Sequence, residues 1–331
     1  MRLLVLSYRD VLAALRPAAC ADAMATVLAE HASGGTYLPL RSVMTPPSAA
    51  GFMGLMPGWR GGQPDSAAAF ALKAVCIMPG NPARGLDAHQ GLVTLFDGTT
   101  GQPTAILDAS AITAIRTAAV TAVATRVLAR QDARTLAILG AGTQARAHLQ
   151  ALAGVREFEQ VRIYAPTPAH ARDLAEQAGD LHNELHIASS AQEALRDADV
   201  IVTATSSRVP VLQRDWLKPG AHLNAVGASS PQAREIDTAT VAASALFCDS
   251  RESLRNEAGE VQLAIAEGLI GGEDHVRAEL GEVLAGTADG RRDAAELTLF
   301  RSLGLAIEDL AAAELAVAEA TALGIGTEVE L

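Results

Sequence analysis

A chain of 331 residues exceeds what a single hydrophobic core usually organises, so two domains are expected. A net charge of -12 without any Lys/Arg-rich run opposes a nucleic-acid backbone at long range, but it leaves room for a small anion held by one or two cations in a closed pocket. The 49% hydrophobic content comes from Ala and Leu rather than one long apolar run, so no membrane partner is expected, and three scattered cysteines (Cys20, Cys76, Cys248) without a CxxC pair point to a reducing compartment, the cytoplasm.

The opening MRLLVLSYRDVLAALRP is apolar, but Arg9 and Asp10 interrupt it and no small-residue cleavage site follows, so no secretory leader is expected. Up to about residue 112 the chain alternates Gly/Pro-rich stretches such as MTPPSAAGFMGLMPGWRGGQPD with short apolar runs. AFALKAVCIM, GLVTLFD and PTAILDA read as strands joined by turns at PGNPARG and DGTTGQP, which predicts a hairpin-rich, antiparallel sheet.

From Thr135 the pattern changes. TLAIL, GAGTQA and an Ala-rich stretch to about Leu152 read as strand, tight turn and helix. VRIY (161–164) is a second strand, followed by a helix from near Pro168, a short strand at LHI (185–187) and a helix near AQEAL. ADVIVTAT (198–205), HLNAVG (222–227) and ALFCDS (245–250) are further buried strands. Parallel strands need crossover helices, so this alternation predicts an α/β fold with a Rossmann-type doubly wound parallel sheet. The last stretch, ELTLFRSLGLAIEDLAAAELAVAEATALG, reads as a long Ala/Leu helix with Gly304 as a break, packing back on the first domain. The predicted organisation is a discontinuous α+β domain over 1–114, completed by 304–331, and a dinucleotide-binding domain over 115–303.

Gly140-Ala141-Gly142-Thr143-Gln144-Ala145 fits GxGxxA between a strand and a helix. The first glycine permits the turn, the second admits a pyrophosphate to the backbone, and Ala145 keeps helix and strand close while the helix N-terminus faces the phosphates. After Tyr164 the chain has Ala165-Pro166-Thr167 and no acid until Asp173. No carboxylate there repels a ribose 2′-phosphate, which favours NADP over NAD, with Thr167, His170 and Arg172 as phosphate contacts. Thr203, Ala204, Thr205 and Ser206, at a strand's C-terminal end, are expected to line the nicotinamide site together with Val226 and Gly227, and Thr117 is a further cofactor contact.

The stretch LKAVCIMPGNPARGLDAHQGLVTLFDGTTGQPTAILDASAITAIRTAAV, the LAILGAGTQA turn, DVIVTATSS and PGAHLNAVGASSP together resemble the ornithine cyclodeaminase/mu-crystallin family, over nearly the whole chain from PLR (39–41) to ELGEVLAG (279–286). The resemblance implies a homodimer, an N-terminal substrate and dimerisation domain completed by the C-terminal helix, and a pocket between this domain and the nucleotide-binding one. It also implies that Arg41 and Arg116 grip a substrate α-carboxylate, with Lys73 beside it and His89, in DAHQG, at the pocket. Chemistry agrees: the Arg fork matches a carboxylate, and Lys73 in an apolar strand would have a depressed pKa and could donate or relay a proton.

Cyclodeaminases and the related alanine dehydrogenases carry an aspartate after the strand that here reads NAVG, where it handles the amino group. This chain has Ala228-Ser229-Ser230-Pro231, and a serine cannot act as that base at neutral pH. The segment, with GLMPGW and DAHQG, looks instead like the ketimine reductase branch that includes mu-crystallin, whose substrates are preformed cyclic imines bearing a carboxylate, such as pyrroline-2-carboxylate or piperideine-2-carboxylate. Ser229, or a water near it, is then expected beside the substrate nitrogen. The alternatives are a cyclodeaminase or alanine-type dehydrogenase with a re-supplied base, and a non-catalytic ligand-binding protein. Arg41, Lys73 and Arg116 argue against the last, because buried cations without a ligand are costly. No metal is expected: His182 and His186 stand four apart, but they lead into a strand and lack a third ligand. Ser206 and Ser229 have no GxSxG elbow, so acyl transfer is not expected.

Overall fold

The computed structural model describes residues 2–62, 67–179, 185–228 and 230–330; Ser229 and His182 lie outside the described residues. By contact density the chain forms two units, Met1–Arg116 with Gly304–Leu331, and Thr117–Leu303. In chain order the first unit holds β1 (Arg2–Leu6), α1 (Tyr8–Ala14), α2 (Pro17–Ala32), β2 (Thr36–Tyr37), β3 (Ser42–Met44), β4 (Phe52–Arg60), β5 (Ala69–Ile77), β6 (His89–Asp97), β7 (Pro103–Asp108) and the first turns of α3 (Ala109–Leu128). The second follows with β8 (Thr135–Leu139), α4 (Thr143–Ala153), β9 (Gln160–Tyr164), α5 (Pro168–Ala178), β10 (Leu185–Ile187), α6 (Ala191–Leu195), β11 (Val200–Thr203), β12 (His222–Ala225), α7 (Thr238–Ala243), β13 (Ala245–Cys248), α8 (Arg251–Glu257), α9 (Gly259–Ala266), β14 (Val276–Glu279), α10 (Leu280–Leu284) and β15 (Thr298–Arg301). The chain returns to the first unit as α11 (Ala306–Leu323) and β16 (Thr327–Glu330).

The first unit's sheet runs β16-β1-β7-β6-β5-β4-β2, with β3 on the side of β4. β4 to β7 form the expected antiparallel meander, whereas β1 joins β7 in parallel. Side chains alternate across a strand, so Ala71, Lys73 and Val75 are buried on one face of β5 while Phe70 is exposed on the other. The buried face lies under α11, which packs on β4, β5 and β6. Gly58 permits that approach, since a Cβ there would stand 3.1 Å from the Ala306 Cβ. The opposite face leaves Leu55, Phe70 and Leu92 exposed.

The second unit is the expected doubly wound parallel sheet, ordered β10-β9-β8-β11-β12-β15-β13-β14. The chain winds outward from β8 to β10 and then returns to β11 on the other side of β8, which places the topological switch point, where open α/β sheets bind ligands, at the C-terminal ends of β8 and β11. α3 is long and apolar enough to cross a membrane, but 78% of its apolar window is buried inside the protein, as in a core helix.

Two expectations are corrected. The segment from Glu296 was read as one long helix, but Thr298–Arg301 is a strand and the helix begins only at Ala306. β15 lies between β12 and β13 with all four residues buried, and such a strand gives the same continuous apolar run as a buried helix. The Gly/Pro-rich FMGLMPGWR, read as part of a turn-rich stretch, is the nine-residue strand β4. The glycines lie on its α11 side, where small residues let the helix approach, and Pro57 lies on the other face.

Candidate active site

In the first unit the site is built from four places in the sequence. Lys73 is central in β5, paired with Met56 and Val93, and only 3% exposed. Its Nζ stands 2.6 Å from Asp309 Oδ2, and the other oxygen of Asp309 accepts from Arg116 Nε at 3.0 Å. Arg116 Nη1 donates to Glu308 Oε2 at 2.8 Å. Arg41, immediately before β3, donates from Nη2 to the Gly304 carbonyl at 2.8 Å. Gly304 has a φ of 82°, and a Cβ on it would stand 2.5 Å from Arg116 Nη1, so this position requires glycine for both backbone and space.

The sequence-based argument that these cations would be unpaired without a ligand does not hold. Glu308 and Asp309, both fully buried in the first turn of α11, supply counter-charges. Lys73 and Arg116 pair with these two carboxylates, while Arg41 donates to the Gly304 carbonyl and its charge acts on Lys73. Burial lowers Lys73 to about 8, against the opposing pull of Asp309 and with help from Arg116 and Arg41. Burial alone would raise Asp309, but Arg116 and Lys73 outweigh it and hold the carboxyl below its ordinary range. His89, the first residue of β6, lies on the same sheet face as Lys73, four residues from Val93 and thus roughly 13 Å along the strand. Its imidazole is half-exposed, 3.8 Å from Asp87.

In the second unit Gly140 follows β8 with a φ of 120°. A Cβ there would meet the Ala204 carbonyl at 2.3 Å, so the turn after β8 and the chain after β11 touch through glycine. Gly142 is the N-cap of α4, offers no side-chain cap, and has open space where a Cβ would be. Thr143, Gln144 and Ala145 form the first turn of that helix, which contains no acid. A bare, uncapped helix start with room above its glycine fits the pyrophosphate of a dinucleotide. Thr167, the N-cap of α5, follows β9 with no acidic residue nearby, while Thr203 ends β11 and Ala204 and Thr205 follow it. Val226 and Gly227 follow β12, and Thr117 is buried in α3.

Glu235 was not anticipated. It is 1% exposed and accepts from Thr205 N at 2.6 Å, Gly227 N at 2.6 Å and Thr203 Oγ1 at 3.0 Å, joining the ends of β11 and β12. Nothing in QAREID marks it. Glu308 and Asp309 did leave a signal, two adjacent acids in an Ala/Leu helix, but first-turn acids ordinarily just complement the helix dipole. Among the described residues no group of three His, Cys, Asp or Glu could hold a metal.

The model of the ornithine cyclodeaminase/mu-crystallin family matches residues 1–322. The chain belongs to this family. It is 39% identical to the ketimine reductase mu-crystallin of Mus musculus over 282 residues, 85% of each chain. It superposes on the Thermococcus litoralis Delta(1)-pyrroline-2-carboxylate reductase in complex with NADH and L-proline with a TM-score of 0.94 at 37% identity, covering 98% of this chain and 100% of that one. An archaeal alanine dehydrogenase dimer with bound NAD gives 0.93 at 31% identity, covering both chains in full.

Proposed function

We propose that this protein is an NAD(P)H-dependent reductase that converts cyclic imino acids of the pyrroline-2-carboxylate and piperideine-2-carboxylate type to cyclic amino acids. The observation that carries this reading is the buried Lys73–Asp309–Arg116 cluster, with Arg41 close enough for its charge to act on Lys73. Such a cluster suits one substrate carboxylate, gripped by the Arg116 and Arg41 forks. Lys73, lowered to about 8, remains mostly protonated at neutral pH yet gives up its proton readily, so it can protonate the imine nitrogen while Asp309 holds its Nζ in place. A nicotinamide dinucleotide, when bound, supplies the hydride that reduces the imine carbon. Gly140, Gly142 and Thr143 to Ala145 would hold its pyrophosphate, and Thr203, Ala204, Thr205, Val226 and Gly227 its nicotinamide end. Thr117 is a further contact, and His89 and Ser229 would complete the substrate side. With no carboxylate after β9, NADPH is accepted at least as well as NADH.

The relatives' activities support this substrate class: the Thermococcus protein reduces pyrroline-2-carboxylate, and the serines at 229 and 230 leave no deaminase base at that point in the sequence. The decisive assay follows NADPH and NADH oxidation with each imine, alongside ammonia release from ornithine and alanine. Imine-dependent oxidation is expected; ammonia release without imine reduction would overturn the reading in favour of a deaminase.

The functional unit is proposed to be a homodimer joined through the exposed β4–β5–β6 face, where Leu55, Phe70 and Leu92 lie open to solvent. Light scattering is expected to give twice the chain mass, and Phe70→Glu to give the monomer. The three cysteines are free, which suits the cytoplasm.

A further inference from the structure

Glu235 has no part in the chemistry above, yet it is a buried carboxylate that joins the C-terminal ends of two strands of the parallel sheet. Its own backbone is pinned: its carbonyl accepts from Val211 N at 2.7 Å, Ile236 bridges to Leu212, and Asp237 caps α7. From that anchor the side chain reaches two loops. Oε1 takes the amide of Thr205, and Oε2 takes the amide of Gly227 and the hydroxyl of Thr203. The loops are in close approach, since a Cβ on Gly227 would stand 2.2 Å from the Thr205 carbonyl. Both oxygens act purely as acceptors, so only a carboxylate satisfies both amides. A glutamine would present an NH2 group to one of the two N–H donors and lose that link.

We propose that Glu235 is a positioning residue that clamps the Thr205 and Gly227 backbones in the form that receives the nicotinamide end of the cofactor, without touching the pyrophosphate turn at Gly140. This rests on the dinucleotide reading above. Its consequence is selective: loss of the clamp weakens recognition of the nicotinamide half alone.

The test compares two probes on wild type and Glu235→Gln: NADH, followed by its fluorescence, and ADP-ribose, which lacks the nicotinamide, followed by calorimetry. NADH affinity is expected to fall about tenfold, the size of one lost hydrogen bond to a charged acceptor, with ADP-ribose affinity unchanged. Thr203→Val, which removes one donor and keeps the volume, should give a smaller fall in the same direction, and it serves alone if Glu235→Gln does not fold. Equal weakening of both probes would reduce Glu235 to a structural role and overturn the proposal, as would no change in either. If wild type bound neither probe, the dinucleotide reading itself would fail.

Discussion

The Lys73 cluster of the first unit and the Gly140–Gly142 turn of the second are prepared in opposite ways. Around Lys73 the charges are already paired, with Asp309 and Glu308 holding the cations in place. At Gly140 and Gly142 the backbone is bare and open. A buried cation cannot be left alone, because desolvation costs several kcal/mol, so the protein supplies counter-ions. Backbone amides carry no net charge and can wait uncovered for phosphate. If the proposed roles hold, substitutions in the charged cluster change function and stability together, whereas those at the glycine turn change function alone.

Four substitutions probe that difference. Lys73→Met should lower kcat/KM for the imine about 10³-fold, within the usual range for a proton-transferring group, and steady-state kinetics on the folded variant would show it. Arg116→Met takes from two buried carboxylates the guanidinium they share, and thermal or denaturant unfolding should show about 3–5 kcal/mol of lost stability. Gly142→Val should do the reverse, weakening cofactor at least about tenfold while leaving the melting temperature unchanged, because there is open space where its Cβ would stand. Equal losses of stability at Arg116 and Gly142 would erase the contrast. The smallest effect concerns pH. Protonated Lys73 is the active form, so kcat/KM should fall as pH rises through about 8. Asp309 raises the lysine's pKa, so Asp309→Asn should move that fall to lower pH; a shift to higher pH would contradict the pairing.

How much of this was legible in the sequence follows from the range of each interaction. The strand–turn–helix at 135–153 is local, and its glycines belong to a turn within six residues, so the fold could be read there. The cations Arg41, Lys73 and Arg116 could be named, but their counter-ions come from a helix that begins 190 residues after Arg116, a pairing that no local pattern records. β15 was hidden for a different reason: a strand buried on both faces loses the alternation that identifies strands. Glu235 was invisible because its three donors lie at the end of β11 and in the loops after β11 and β12, far from it in the sequence.

The central claim is that the cofactor reduces an imine carbon beside the carboxylate that the Lys73 cluster holds. It is tested most directly with NADH deuterated at nicotinamide C4 and pyrroline-2-carboxylate, analysing the product by mass spectrometry and proton NMR. One deuterium at the α-carbon of proline is predicted with the appropriately labelled face of the cofactor; proline without label from either face, or oxidation of the cofactor without proline, would contradict it.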